Sequence, residues 1–167
     1  MKPRYSNRPF PSVQAMNWAL VKNWNKTVKP RDIVYFLGDW TIKRQPRRAR
    51  YWMRKLNGHI ISIKGNHDRG QRGVKFYHHR IRHWGGHKFL LLHDPKEKQG
   101  TWEGWLIHGH RHNKSMDRYP FINGGRKTIN VSVELTNYRP ISIDYILSLN
   151  IDSIRRMEKI NSKPERW

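Results

Sequence analysis

The sequence predicts an α/β fold, and three observations carry that expectation. A helix-then-strand pattern occurs twice in the first half of the chain. Each apolar run stops at a polar, metal-competent side chain, as strands do when their carboxyl ends line a site. Finally, 8 Trp, 7 Tyr and 5 Phe supply bulky groups for a core that a disordered chain lacks. With 167 residues, a single domain spanning 1–167 is expected.

The elements follow in order. Ser12 is a candidate N-cap for a helix in which Val13, Met16, Leu20, Val21 and Trp24 recur at helical spacing. Past Lys29-Pro30, the run Ile33-Val34-Tyr35-Phe36-Leu37 reads as a buried strand stopped by Gly38-Asp39. Pro46 opens a second helix through Ala49, Trp52, Met53 and Leu56, which Asn57-Gly58 ends. The strand Ile60–Ile63 then leads to Gly65-Asn66-His67-Asp68. A basic, His-rich connection is expected next, followed by strands over 88–92 and 104–107 that end in His93 and in His108-Gly109-His110-Arg111-His112. A strand over 128–133 and a closing helix capped by Ser142 complete the reading.

Charge and composition narrow the chemistry. Lys and Arg number 34 against 12 Asp and Glu, a formal charge of +22, which favours polyanions, with nucleic acid the candidate partner. A basic strip runs through Lys43, Arg44, Arg47, Arg48, Arg50, Arg54 and Lys55, and a second through Lys64, Arg69, Arg72, Lys75, Arg80 and Arg82; an exposed helix face explains the first strip equally well. Cysteine is absent, so disulfides and thiolate zinc sites are excluded, and a transition metal would need imidazole, carboxylate or amide donors. No apolar run approaches the length of a membrane span. A soluble, cytoplasmic protein is expected.

Four apolar runs thus end in Asp39, Asn66-His67, His93 and His110-x-His112, donors of the kind that bind Mn, Fe, Ni or Zn. Taken singly each has a bland explanation: Gly-Asp is a common turn, Asn-His caps helices, and a lone His is usually structural. One shared metal centre explains all four.

In type and order, Gly38-Asp39, Gly65-Asn66-His67-Asp68, His93 and Gly109-His110-Arg111-His112 resemble the calcineurin-like metallophosphoesterases. The likeness is to small stand-alone members found in phage and bacterial genomes, and runs from about Tyr5 to Ser142. It implies a β-sandwich flanked by helices, with the first strand apparently missing. It also implies that Asp39 bridges two metal positions, that Asn66, His93 and His110 complete one of them, and that His112 serves the other. His67 would assist the leaving group, with Asp68 orienting its ring.

The family's D-x-H motif has no counterpart here, because nothing in Met1 to Arg4 can supply it. A weakened or empty second position is therefore expected, with the family's two divalent ions reduced to one. His78, His79, His83, His87 and His108 are spare imidazoles, but a flexible basic loop is a poor source of fixed ligands. The start is expected to be internal to a longer reading frame, or the gene naturally shortened, leaving an open sheet edge. The expected activity is metal-dependent hydrolysis of phosphodiesters, in nucleotides or nucleic acid. The alternatives are a non-catalytic nucleic-acid-binding protein that keeps the fold and one metal site, and a basic ribosome-associated or packaging protein without metal.

Overall fold

The computed structural model describes residues 8–41, 46–68, 74–98 and 100–167. The first helix, α1 (Val13–Thr27), starts where Ser12 accepts a hydrogen bond from the Ala15 amide at 3.0 Å, as its N-cap position predicts. Strand β1 (Ile33–Phe36) pairs in parallel with β2 (His59–Ile63), and α2 (Pro46–Met53) connects them. A short β3 (Phe76–Tyr77) adds to the far side of β2, giving a three-stranded sheet in which β1 lies at one edge.

The second sheet has seven strands in the order β10-β9-β7-β8-β6-β5-β4. Its centre is β5 (His87–Leu92) beside β6 (Trp105–His108) beside β8 (Thr128–Asn130), all parallel. At one end β4 (His79–Trp84) forms a hairpin with β5 through Gly85-Gly86, whose φ values of 56° and 80° put both in the left-handed region that glycine tolerates. At the other end are β7 (Ile122–Asn123), β9 (Ile154–Met157) and β10 (Glu165–Arg166). Leu37 and Ile63 below the first sheet's strand ends meet Phe89, Leu91, Trp105, Ile107 and Ile129 of the second in one apolar cluster, which α3 (Ile143–Ser148) closes with Ile146. This is a β-sandwich flanked by helices, as expected, and no helix among the described residues is long and apolar enough to cross a membrane.

Two segments differ from expectation. The connection after Asp68 is not a flexible loop throughout: β4 is a regular strand whose side chains alternate between exposed and half-buried. Its inward positions are Arg80, Arg82 and Trp84, and the arginines lie on aromatic faces instead of among aliphatic side chains. Arg80 sits 3.2 Å from the Tyr77 ring centroid, and Arg82 donates to the Tyr35 hydroxyl at 2.5 Å. An inward face made of arginine hides the strand from a hydrophobicity pattern. The strand expected over 128–133 ends at Asn130, because the Asn130 side chain accepts from the Ser132 amide at 3.1 Å and turns the chain.

Candidate metal centre

Each candidate ligand follows the carboxyl end of a parallel strand. Asp39 follows β1, Asn66 and His67 follow β2, His93 follows β5, and His110 and His112 follow β6. Because β1 pairs with β2 and β5 with β6, one sheet presents the oxygen donors and the other the imidazoles, facing each other across the sandwich. A hydrogen bond from His93 Nδ1 to the Leu37 carbonyl, at 2.6 Å, ties the two sheets together at this seam.

That bond decides the chemistry. A carbonyl can only accept, so Nδ1 carries the hydrogen and the Nε2 lone pair points into the site. Around Nε2 stand Asn66 Oδ1 at 2.9 Å, His110 Nδ1 at 2.8 Å and Asp39 Oδ2 at 3.3 Å. Four lone-pair atoms aimed at each other repel unless a proton or a cation lies among them. Burial pushes the His93 imidazolium down, but the hydrogen bonds with Asp39 and the Leu37 carbonyl outweigh it and hold its pKa above the usual value. Burial likewise works to raise Asp39, and bonds from His93 and the His67 amide hold it below the ordinary carboxylate range. The mutual stabilisation of a positive His93 and a negative Asp39 thus marks a place that suits a cation. Asp39, His93 and His110 are the trio that brings ligand atoms within 4.8 Å of one another among the described residues.

The oxygen half is set by backbone geometry. Asp39 has φ 63°, an uncommon conformation for a residue other than glycine, and its Oδ1 accepts from the His67 amide at 2.8 Å. A Cβ on Gly38 would stand 2.6 Å from His93 Nδ1, and one on Gly65 would collide with the Asp39 carboxylate. The glycines in Gly-Asp and Gly-Asn-His are therefore required by close approach.

Asp68 differs from its expected role. Its oxygens do not serve the His67 ring; they accept from the amides of Asp39 (2.8 Å), Trp40 (3.0 Å) and Gly65 (2.9 Å). Buried at 6% exposure, it clamps the two ligand-bearing loops to each other, as a carboxylate with several amide donors can. His67 sits half-buried beside Asp39 through its backbone contact.

His112 stands apart from the trio. Its Nδ1 faces Glu134 Oε1 at 3.1 Å, and Arg8 binds the same oxygen through Nε at 2.8 Å. The Glu134 side chain is 3% exposed; burial would raise its pKa, but His112 and Arg8 lower it to about 2. A carboxylate on Nδ1 turns Nε2 of His112 away from Glu134, an arrangement common behind metal-bound histidines. His112 has φ 50°, and Asn130 holds that loop by donating to the His112 carbonyl at 2.9 Å. Asp94 has a similar place behind His110, with Oδ2 3.7 Å from Nε2 and Oδ1 bound by Arg111 at 2.6 Å. Glu134, Arg8, Asn130 and Asp94 were not identified from the sequence; an acid inside an apolar stretch, as in Val133-Glu134-Leu135, was the available signal for the first.

None of the spare histidines joins the trio. His78, His79 and His83 are exposed, His87 faces Asp152 at 3.7 Å, and His108 is buried at 0% exposure with both ring nitrogens unpaired. Of the basic strips, Lys43, Arg44, Arg69 and Arg72 and the Arg47 side chain lie outside the described residues. The segment before Arg8 does too.

Comparison with known proteins agrees with this geometry. The profile of the calcineurin-like phosphoesterases matches residues 14–165. An uncharacterised protein of Methanocaldococcus jannaschii is 49% identical over 148 residues, covering 87% of this chain and 81% of its own. The crystal structure of a protein of unknown function from Aquifex aeolicus superposes with a TM-score of 0.59 at 26% identity, over 83% of this chain and 87% of its own. With the profile reaching across both sheets and every strand end that bears a candidate ligand, the chain belongs to the calcineurin-like phosphoesterase family.

Proposed function

We propose that this protein hydrolyses phosphodiesters in nucleotides or nucleic acid, using one firmly held divalent transition ion such as Mn, Fe, Ni or Zn. The observation that carries the reading is the convergence of Asp39, Asn66 and His110 on His93 Nε2 within 3.3 Å. Mixed oxygen and imidazole donors fit these ions better than Ca or Mg. When bound, such an ion supplies Lewis acidity toward a phosphoryl oxygen and a nucleophile at neutral pH.

The chain's own residues do the rest. Leu37 fixes the His93 tautomer through its carbonyl, and Asp68 keeps Asp39 and Asn66 in register. His67 is assigned to the leaving oxygen, as a hydrogen-bond donor or acid. Its backbone contact with Asp39 supports this by keeping it next to the ligand set. His112, backed by Glu134, is assigned to a second and weaker position. The net charge of +22 favours a polyanionic substrate.

The test combines elemental analysis with turnover of a chromogenic phosphodiester in added Mn. About one retained transition ion per chain is expected, with Asp39→Asn losing it and lowering turnover about a hundredfold or more. Retention of no ion, or equal turnover in Asp39→Asn, would refute the assignment. An ion without turnover on any diester leaves the non-catalytic nucleic-acid-binding alternative.

A further inference from the structure

The metal centre leaves one unusual surface unexplained. Trp18 on α1 and Tyr51 on α2 are 44% and 50% exposed, although both belong to well-formed helices. Between them stands Trp52, edge-on to Trp18 at 5.6 Å and to Tyr51 at 4.9 Å. The Lys55 ammonium reaches over both outer rings, 5.2 Å from Trp18 and 4.6 Å from Tyr51. Neither helix contains an Asp or Glu, and Lys22, Arg48 and Arg54, on or next to the same helices, are exposed.

The surface is rigid. Asn25 Nδ2 donates to the Lys55 carbonyl at 2.7 Å, Asn57 N returns a bond to Asn25 Oδ1 at 2.8 Å, and Trp24 Nε1 donates to the Asn57 carbonyl at 2.9 Å. The two helices therefore hold their rings in fixed relation, which lowers the entropic cost of binding something flat. Its place relative to the site follows from the chain order: α2 begins at Pro46, seven residues after Asp39, and Tyr51 lies about one and a half turns into it.

We infer that Trp18, Tyr51 and Lys55 form a stacking platform for the bases of a single-stranded nucleic acid whose backbone then runs to the metal centre. This rests on the phosphodiesterase reading and names its substrate class. Half-exposed aromatic residues that share a mobile Lys55 ammonium, on helices without an acid, match a ligand that alternates flat apolar bases with anionic phosphates, whose phosphate can draw the ammonium off the rings. A duplex hides its base faces, so it satisfies only the charge. An acidic peptide would use Lys55 and the arginines but has no use for flat rings.

The test measures binding by fluorescence anisotropy with a chelator present, so that no probe is cleaved. Probes are a labelled short oligothymidylate, an abasic strand of equal length and a duplex, each across a salt series. Wild-type protein should prefer oligothymidylate to the abasic strand by about tenfold or more. Trp18→Ala with Tyr51→Ala should lose that preference, while keeping the salt slope. Trp18→Phe with Tyr51→Phe should retain it, and Lys163→Gln, on the C-terminal segment, should change nothing. In the same preparations, turnover of the small chromogenic diester should be unaffected by the alanine pair, while KM for oligothymidylate in Mn rises. The proposal is overturned if the abasic strand or the duplex binds as well as oligothymidylate, if the alanine pair binds like wild type, or if polyglutamate competes as well as oligothymidylate, which would point to an acidic protein. Absence of diester turnover in wild type counts against the hydrolase reading alone, and base preference still decides the platform.

Discussion

The two sheets of this sandwich hold their halves of the metal centre by different means. In the seven-stranded sheet, residues 89–93 and 105–108 are buried, so His93 and His110 rise from a packed core. In the three-stranded sheet, β1 has no fully buried residue, Ile33 is 64% exposed, and α1 beside it buries none either. There the amides of Asp39 and of Gly65, just ahead of Asn66, are held by Asp68, and glycine close approach fixes the two loops together. Burial orders a large region through many weak contacts, whereas a carboxylate clamp orders two loops through a few strong ones. The imidazole half should therefore report on global stability, and the oxygen half on metal binding.

The largest expected effect tests the packed side. Phe89→Ala, at 0% exposure in β5, should lower unfolding free energy by about 3–5 kcal/mol in urea titration. Ile33→Ala on β1 should stay within about 0.5 kcal/mol. Equal losses at the two positions would show that the small sheet is as tightly packed as the large one.

Next comes acid. Burial of His108 in β6 lowers its pKa from 6.5 to about 3, so the folded protein keeps the ring neutral while the unfolded chain protonates. A depressed folded value means stability is complete above 6.5 and is lost as pH falls from 6.5 toward 3, on the order of 3 kcal/mol by pH 4. His108→Phe should flatten that limb in thermal melts between pH 7 and 4. Glu134 acts in a lower window: its pKa falls from 4.5 to about 2, so its contribution is present above 4.5 and disappears below it. Glu134→Gln should lower the melting temperature above pH 4.5 and converge on wild type as pH falls toward 2; a difference that does not change with pH would show that the Glu134 charge contributes nothing.

How much of this was legible in the sequence follows the same division. The ligand-bearing strand ends stood out because local chemistry marks them: an apolar run, then a glycine or turn, then Asp, Asn or His. What supports the ligands was not legible, because Asp68 with the Trp40 amide, Glu134 with Arg8 and Asn130 with the His112 carbonyl are contacts over 18 residues or more that only the fold creates. Strand β4 was hidden for another reason, since its inward arginines rest on Tyr35 and Tyr77. The C-terminal strands are short, and in β9 only Ile154 and Met157 are buried, too little for a period to show.

A modest expected effect on stability carries the largest consequence for the site. Asp68→Asn keeps size and shape but replaces one acceptor oxygen with an amide NH2 donor, so at least one of the Asp39, Trp40 and Gly65 amides loses its partner. An unsatisfied amide costs about 1–3 kcal/mol, and this one lies at the edge of the less buried sheet, where water can partly replace the lost bond. Unfolding free energy should therefore fall by about 1–2 kcal/mol. Asp39 is held at φ 63° by that clamp, and once released it should relax toward ordinary backbone, carrying its carboxylate away from His93. Metal affinity should then drop by about 10- to 100-fold, the range seen when groups that orient ligands are removed. Binding should weaken further as pH falls through the raised His93 pKa, because a proton there competes with the ion. Metal titration of the wild type and Asp68→Asn at two pH values measures both. A variant that loses stability but binds the ion as tightly as wild type would mean that packing, not the clamp, positions the oxygen donors.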